Sequence, residues 1–220
     1  MRRIEIPRNF ARFCVAVSLG IAIPMVVLDP TASATSVAPL TVEQVTDAST
    51  YIVRGTVGHV WTATDDHGMV WTYAKVAVSQ VLKGPDSPSE LVVRSPGGTQ
   101  GDVTTVVSGV ARYSETEDVL LFLDQNNSGQ LGTVGLGLGK YTVRRAPGET
   151  RKYVAQYRMA TDVAYDSRFM PHPAPQYRQD LDTLLDRVES RVQAGWDGKP
   201  IPGMSLDALQ RVNTLERRSR

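Results

Sequence analysis

From Thr50 to Val143, apolar side chains return at every second position, in short runs closed by glycine, proline, asparagine or aspartate. Period two is the spacing of a half-buried strand, and it rules out a helical bundle for this part of the chain. Tyr51, Val53 and Val57 share one face of the first run, while Arg54 and Thr56 point the other way. Asp65-Asp66-His67-Gly68 predicts a turn, and Met69 to Leu82 a long second strand with Val70, Ala74, Val76, Val78 and Leu82 alternating. Lys83-Gly84-Pro85-Asp86 ends it, because proline cannot donate to a ladder. Leu91–Arg94 and Val103–Val107 follow as the third and fourth strands. Val119-Leu120-Leu121-Phe122-Leu123 is apolar on both faces, which predicts a fully buried central strand. Leu131 to Val143 reads as one more strand, and Lys152 to Met159 as a further one. Short strands at this spacing predict an antiparallel barrel or sandwich.

The first 34 residues have a different character. Arg2, Arg3, Arg8 and Arg12 precede an apolar run from Phe13 to Leu28, and Ala32-Ser33-Ala34 supplies small residues for cleavage. That order predicts a secretory signal peptide and a secreted or periplasmic protein. The run is interrupted by Pro24 and is short of the roughly 20 apolar residues a spanning helix needs. No later segment is long and apolar enough to span, so no transmembrane span is expected after signal removal.

Cleavage would remove the single cysteine, Cys14. The mature chain must then be held by its core alone, without disulfides, thiol catalysis or cysteine-bound metal. Removing the four arginines with Glu5 and Asp29 from 24 basic and 23 acidic residues leaves 20 against 21, a net charge of −1. A dedicated nucleic-acid binder needs a basic surplus to neutralise phosphates, so no nucleic-acid partner is expected.

Beyond the strands the period changes. Met170-Pro171-His172-Pro173-Ala174-Pro175 reads as a stiff linker. From Gln176 to Ala194, Leu181, Leu184, Leu185, Val188 and Val192 recur at helical spacing. Ser205 can cap a second helix with Leu206, Leu209, Val212 and Leu215 on one stripe. The predicted organisation is a signal peptide over 1–34, a lead-in over 35–48, a β-barrel over 49–160, a linker over 161–176 and a helical segment over 177–220.

Candidate chemistry is sparse. Asp65-Asp66-His67 could offer metal ligands, but no second cluster completes a site, and neither a metal nor a cofactor is implied. Gly135, Gly137 and Gly139 precede Lys140, yet Val134 stands where a P-loop needs glycine and Tyr141 where it needs Ser or Thr. Placed two apart in a strand, these glycines would share one face and let another backbone pack closely or let the strand bend. Neither Ser95 nor Ser108 sits in a nucleophile elbow. Glu115, Glu117 and Asp118 read as a solvated loop.

Trp61, Trp71, Tyr73 and Tyr51 crowd the first hairpin. With the turn centred on Asp66-His67, Trp61 faces Thr72 and Trp71 faces Thr62, so the two tryptophans point to opposite faces. One then enters the core, and Trp71 with Tyr73 forms an exposed platform for a sugar or a partner. A strongly curved hairpin would instead bury both.

Val53-Arg54-Gly55-Thr56-Val57, Val81-Leu82-Lys83-Gly84, Arg94-Ser95-Pro96-Gly97-Gly98, Val107 to Tyr113, Leu120–Leu123 and Gly137 to Val143 occur in this order. Together, across about residues 48–145, they resemble uncharacterised bacterial exported proteins. Those are similar to the netrin-like module of the tissue inhibitors of metalloproteinases, a five-stranded OB-type barrel. The animal inhibitors chelate the protease metal through an N-terminal cysteine, which the mature chain would lack, so that mechanism does not carry over. The bacterial family brings no established activity and no catalytic residue.

The expectation is therefore a mainly β protein, an antiparallel OB/netrin-like barrel of five to six strands with a C-terminal α-helical segment. Its expected role is that of a non-enzymatic binding module for an envelope or extracellular protein or glycan. Trp71, Tyr73, Gly135, Gly137 and Gly139 are the candidate contacts. One alternative is a hydrolase in which His59 or His172 converges with acids in a deep pocket. Another is a structural envelope component docking through its C-terminal helices.

Overall fold

The computed structural model describes residues 40–156, 163–165, 171–173, 178–205 and 207–212. The chain divides into two units, Met1–Ala34 and Thr35–Arg220. The expected signal peptide lies outside the described residues, as do Met159, Leu206, Leu215 and most of the expected linker. The second unit is mainly β, with its C-terminal helix packed on a large mixed sheet.

The strands run β1 (Tyr51–Thr64), β2 (Val70–Lys83), β3 (Glu90–Pro96), β4 (Gly98–Gln100), β5 (Val103–Thr105), β6 (Asp118–Gln125), β7 (Leu131–Thr133), β8 (Lys140–Arg145), β9 (Lys152–Gln156), β10 (Val163–Tyr165), β11 (Pro171–Pro173) and β12 (Arg178–Asp180). The main sheet has the order β1-β2-β3-β7-β6-β8-β9-β12, and β1 pairs with β6 as well. Its pairs are antiparallel except β3–β7.

Two cores lie on opposite sides of β6. Val119, Leu121 and Leu123 point to one side and meet Val53, Val57, Val76 and Val93. Leu120 and Phe122 point to the other and meet Ile52, Tyr141, Leu184 and Val188. All five β6 side chains from Val119 to Leu123 are fully buried, as the doubly apolar run predicts.

The helices account for the second core. Helix α1 (Val42–Ala48) occupies what reads as a lead-in. Thr41 caps it by accepting the Gln44 N–H, while the Gln44 side chain accepts the Thr41 N–H. That reciprocal pair is legible in sequence as T-x-x-Q. Helix α2 (Leu181–Ala194) buries Leu181, Leu184 and Val188. Arg191 on α2 clamps Asp47 on α1 through two bonds of 2.8 and 2.6 Å. The helix starts later than Gln176 because Asp180 caps it, accepting the Thr183 N–H, and because 178–180 pair with β9 instead. A short helix over 207–212 begins where Ser205 accepts the Ala208 N–H, and it buries Leu209 and Val212.

Several strand expectations need correction. The run from Leu131 to Val143 is not one strand, because β7 ends at Thr133 and β8 starts at Lys140. Between them Gly135 takes φ +59° and Leu136 φ +63°, a left-handed pair that turns the chain. The expected fourth strand spans only Val103–Thr105 and pairs with β4 alone. Part of the expected linker, Pro171–Pro173, pairs with β10.

The β1–β2 register also differs by one residue. Trp61 faces Tyr73 and Ala63 faces Trp71. The cause is the loop, which closes at the Thr64–Val70 pair and leaves 65–69 as an odd-numbered connection. Asp65 holds it, its carboxylate accepting the His67 and Met69 N–H groups at 3.0 and 2.9 Å. A loop of odd length shifts the register by one and moves a side chain to the other face.

Candidate functional site: an aromatic row beside a groove

The shifted register gathers what the expected one would have separated. Trp61 and Tyr73 are cross-strand partners, and Trp71 lies two residues from Tyr73, so all three share one face. All three are half-buried. His59 stacks on Trp61, with ring centroids 5.5 Å apart and planes at 11°, and Trp61 stacks on Tyr73 at 5.4 Å and 13°. Offset stacking of this kind stabilises aromatic pairs beyond their buried area. An irregularity between Val57 and Val60 turns His59 and Trp61 to the side opposite Val57.

The third strand adds a cation. Arg94 pairs with Tyr73 in register, and its guanidinium sits 4.0 Å above the Trp71 ring. The Trp71 indole N–H donates to Asp65 Oδ2 at 2.8 Å, which fixes the ring plane. That bond, first, and the Met69 amide hold the Asp65 carboxyl below its usual pKa.

Two hollows flank Arg94. One, of about 380 Å³, is walled by Tyr51, Tyr73, Arg94, Gln125 and Gln130. The other, of about 280 Å³, is walled by Trp71, Arg94, Asp124, Asn126, Gln130 and Leu136. Arg94 and Gln130 belong to both, so the two hollows adjoin. The Tyr51 phenol donates to Asp86 Oδ1 at 2.8 Å, and burial with that carboxylate pushes its pKa up to about 12. Burial likewise raises the Asp124 carboxyl. The β6–β7 turn that supplies the amides is rigid, since Asn126 Oδ1 accepts the Ser128 and Gln130 N–H groups.

Of the expected contacts, Trp71 and Tyr73 lie at this site and the three glycines do not line it. Gly137 and Gly139 are buried. A Cβ on Gly139 would fall 2.5 Å from the Phe122 carbonyl oxygen, so the residue is fixed by close backbone approach. Only Leu136, at the tip of the glycine turn, reaches the groove. Arg94, Gln125 and Gln130 are new members, brought in by long-range pairing that no local motif announces.

A hydrolytic reading would rest on His59 or His172. His59 does meet an acid, with Nδ1 3.2 Å from Glu115 Oε1, but the two side chains are 69% and 58% exposed. The Glu115 carboxyl is lowered by the Val60 amide first and His59 second. Ser95 Oγ is buried with no hydrogen-bond partner among the described residues. Among the described residues no three His, Cys, Asp or Glu side chains are grouped to hold a metal. The His172 side chain lies outside the described residues. Among the described residues no helix is long and apolar enough to cross a membrane. The apolar residues Leu184, Val188 and Leu209 are buried in the chain's own core.

No protein-family model matches this chain, and the curated proteins contain no relative similar to it in sequence.

Proposed function

We propose that the protein is an exported, non-enzymatic binding module whose recognition surface is the His59–Trp61–Tyr73 row and the groove at Arg94. The observation that carries this reading is the row itself. Three aromatic residues stack in line on a sheet face, half-buried to open, next to a guanidinium and a rigid turn bearing amides. Rings with a few convergent polar groups are the usual composition of a ligand surface.

An OB-type, netrin-like barrel is the fold reading that goes with it. Its support is the circuit β1-β2-β3-β7-β6, which returns to β1, and the parallel β3–β7 pair within it. OB barrels bind oligosaccharides and oligonucleotides on the face of their second and third strands, with the loops alongside. With a mature charge near neutrality, the chemistry favours an envelope glycan as occupant. Sugar C–H faces lie on the rings, while Arg94, Gln125 and Gln130 bond the hydroxyl and acetamido groups.

Titration with N-acetylglucosamine oligomers, followed by tryptophan fluorescence, tests this. Saturable quenching that is lost in W61A/Y73A is expected. Equal quenching in parent and variant would remove the row from the site.

A further inference from the structure

A second hollow lies away from the aromatic row, between the 112–117 segment and strands β8 and β9. It measures about 270 Å³, and its charged wall residues are Arg112, Glu117, Lys140, Arg144 and Arg178. Glu117 is the one carboxylate in the described wall, and it is already engaged. Lys140 Nζ donates to both its oxygens, at 2.8 and 2.7 Å, and to the Arg112 carbonyl at 2.6 Å. Thr142 Oγ1 donates to Glu117 as well. Lys140 is only 2% exposed, so this pair forms a fixed, internally neutral floor.

Three arginines, Arg112, Arg144 and Arg178, belong to the wall around that floor. Arg112 and Arg144 are exposed, and neither pairs with a carboxylate among the described residues. Arg178 is held in place, stacked 4.6 Å above the Tyr153 ring with Nη2 donating to its hydroxyl at 3.3 Å. Other cations of the fold do have carboxylate partners, Arg54 and Lys152 with Asp118 and Arg191 with Asp47. Three arginines in one wall give it a positive excess that a bound anion would offset. Guanidinium forks match a tetrahedral oxyanion, and such charge-assisted bonds are the strong ones.

We infer that this hollow is a binding site for a tetrahedral oxyanion of the phosphate or sulfate ester type, clamped by Arg112, Arg144 and Arg178 over the Lys140–Glu117 floor. It is independent of the aromatic row and of whatever that row binds.

Calorimetric titration of the purified protein with inorganic phosphate, inorganic sulfate and glucose 6-phosphate tests the assignment. One-site saturable binding that weakens with salt is expected. R112A/R144A should bind at least about tenfold more weakly, since it loses two charge-assisted contacts. W61A/Y73A should bind as the parent does. Tighter binding of glucose 6-phosphate than of phosphate would place the anion on a sugar, and equal binding would mark it as a free ion. Absence of saturable binding, or equal affinity in R112A/R144A with an unchanged circular dichroism spectrum, would overturn the inference.

Discussion

One face of β1 meets two fates along its length. Near its start Ile52 lies under the helices and is fully buried with Leu184 and Val188. Farther along, beyond the irregularity after Val57, the same face carries His59 and Trp61, and no helix among the described residues covers them. Where a helix covers the face, the side chains are aliphatic and the stabilisation is burial, about 1.5–3 kcal/mol for each large side chain. Where none does, rings stack on rings and a guanidinium sits on the neighbouring Trp71. The difference separates a surface built for folding from one kept partly open at a cost in burial. Partly open aromatic surface of this kind is what the proposed recognition site would use.

Substitutions on the two stretches should therefore have opposite readouts. The largest effect falls under the helix. Leu184→Ala removes a side chain with no exposure and should cost about 4 kcal/mol in a urea titration, from the lost transfer energy and the cavity left behind. Next, Arg191→Ala leaves Asp47, whose side chain is 6% exposed, without its bidentate partner. It should cost about 3 kcal/mol, the size of the two charge-assisted hydrogen bonds that Asp47 loses while the Lys83 charge stays nearby. Either variant, where folded, should keep its ligand affinity. By contrast, W61A/Y73A should lower stability by only about 1 kcal/mol, the size of two stacking contacts, while it removes binding. A stability loss as large as that of Leu184→Ala would make the row part of the core and break the contrast.

The smallest effect is acid-dependent. The Asp65 carboxyl is held below its ordinary value of 3.8, first by the Trp71 indole. A depressed carboxyl stabilises the fold above the unfolded value, and this contribution is lost as pH falls through the folded one. Trp71 emission should therefore change in a step centred below 3.8, and the step should vanish in Asp65→Asn.

The sequence made the strands legible because alternation is local. Val119 to Leu123, buried on both faces, could be read directly. The cap of α1 was also written there, in Thr41 and Gln44, and is easily passed over in so short a helix. Register was harder to read. One residue of loop length decides whether Trp61 and Trp71 share a face, and that length depends on how Asp65 bonds to the His67 and Met69 amides. The glycine turn misleads for a related reason. Alternating Gly135, Gly137 and Gly139 look like a strand, yet the left-handed Gly135-Leu136 pair makes a turn. Trp71 and Tyr73 were visible as aromatic residues in a hairpin, whereas Arg94 and Gln130 reach them only through strand pairing.

Co-sedimentation with purified, insoluble cell-wall glycan most directly tests whether the uncovered stretch is the recognition surface. Parent protein and Arg191→Ala should pellet with the glycan, and W61A/Y73A should stay in the supernatant. Pelleting of W61A/Y73A to the same extent as the parent would contradict it.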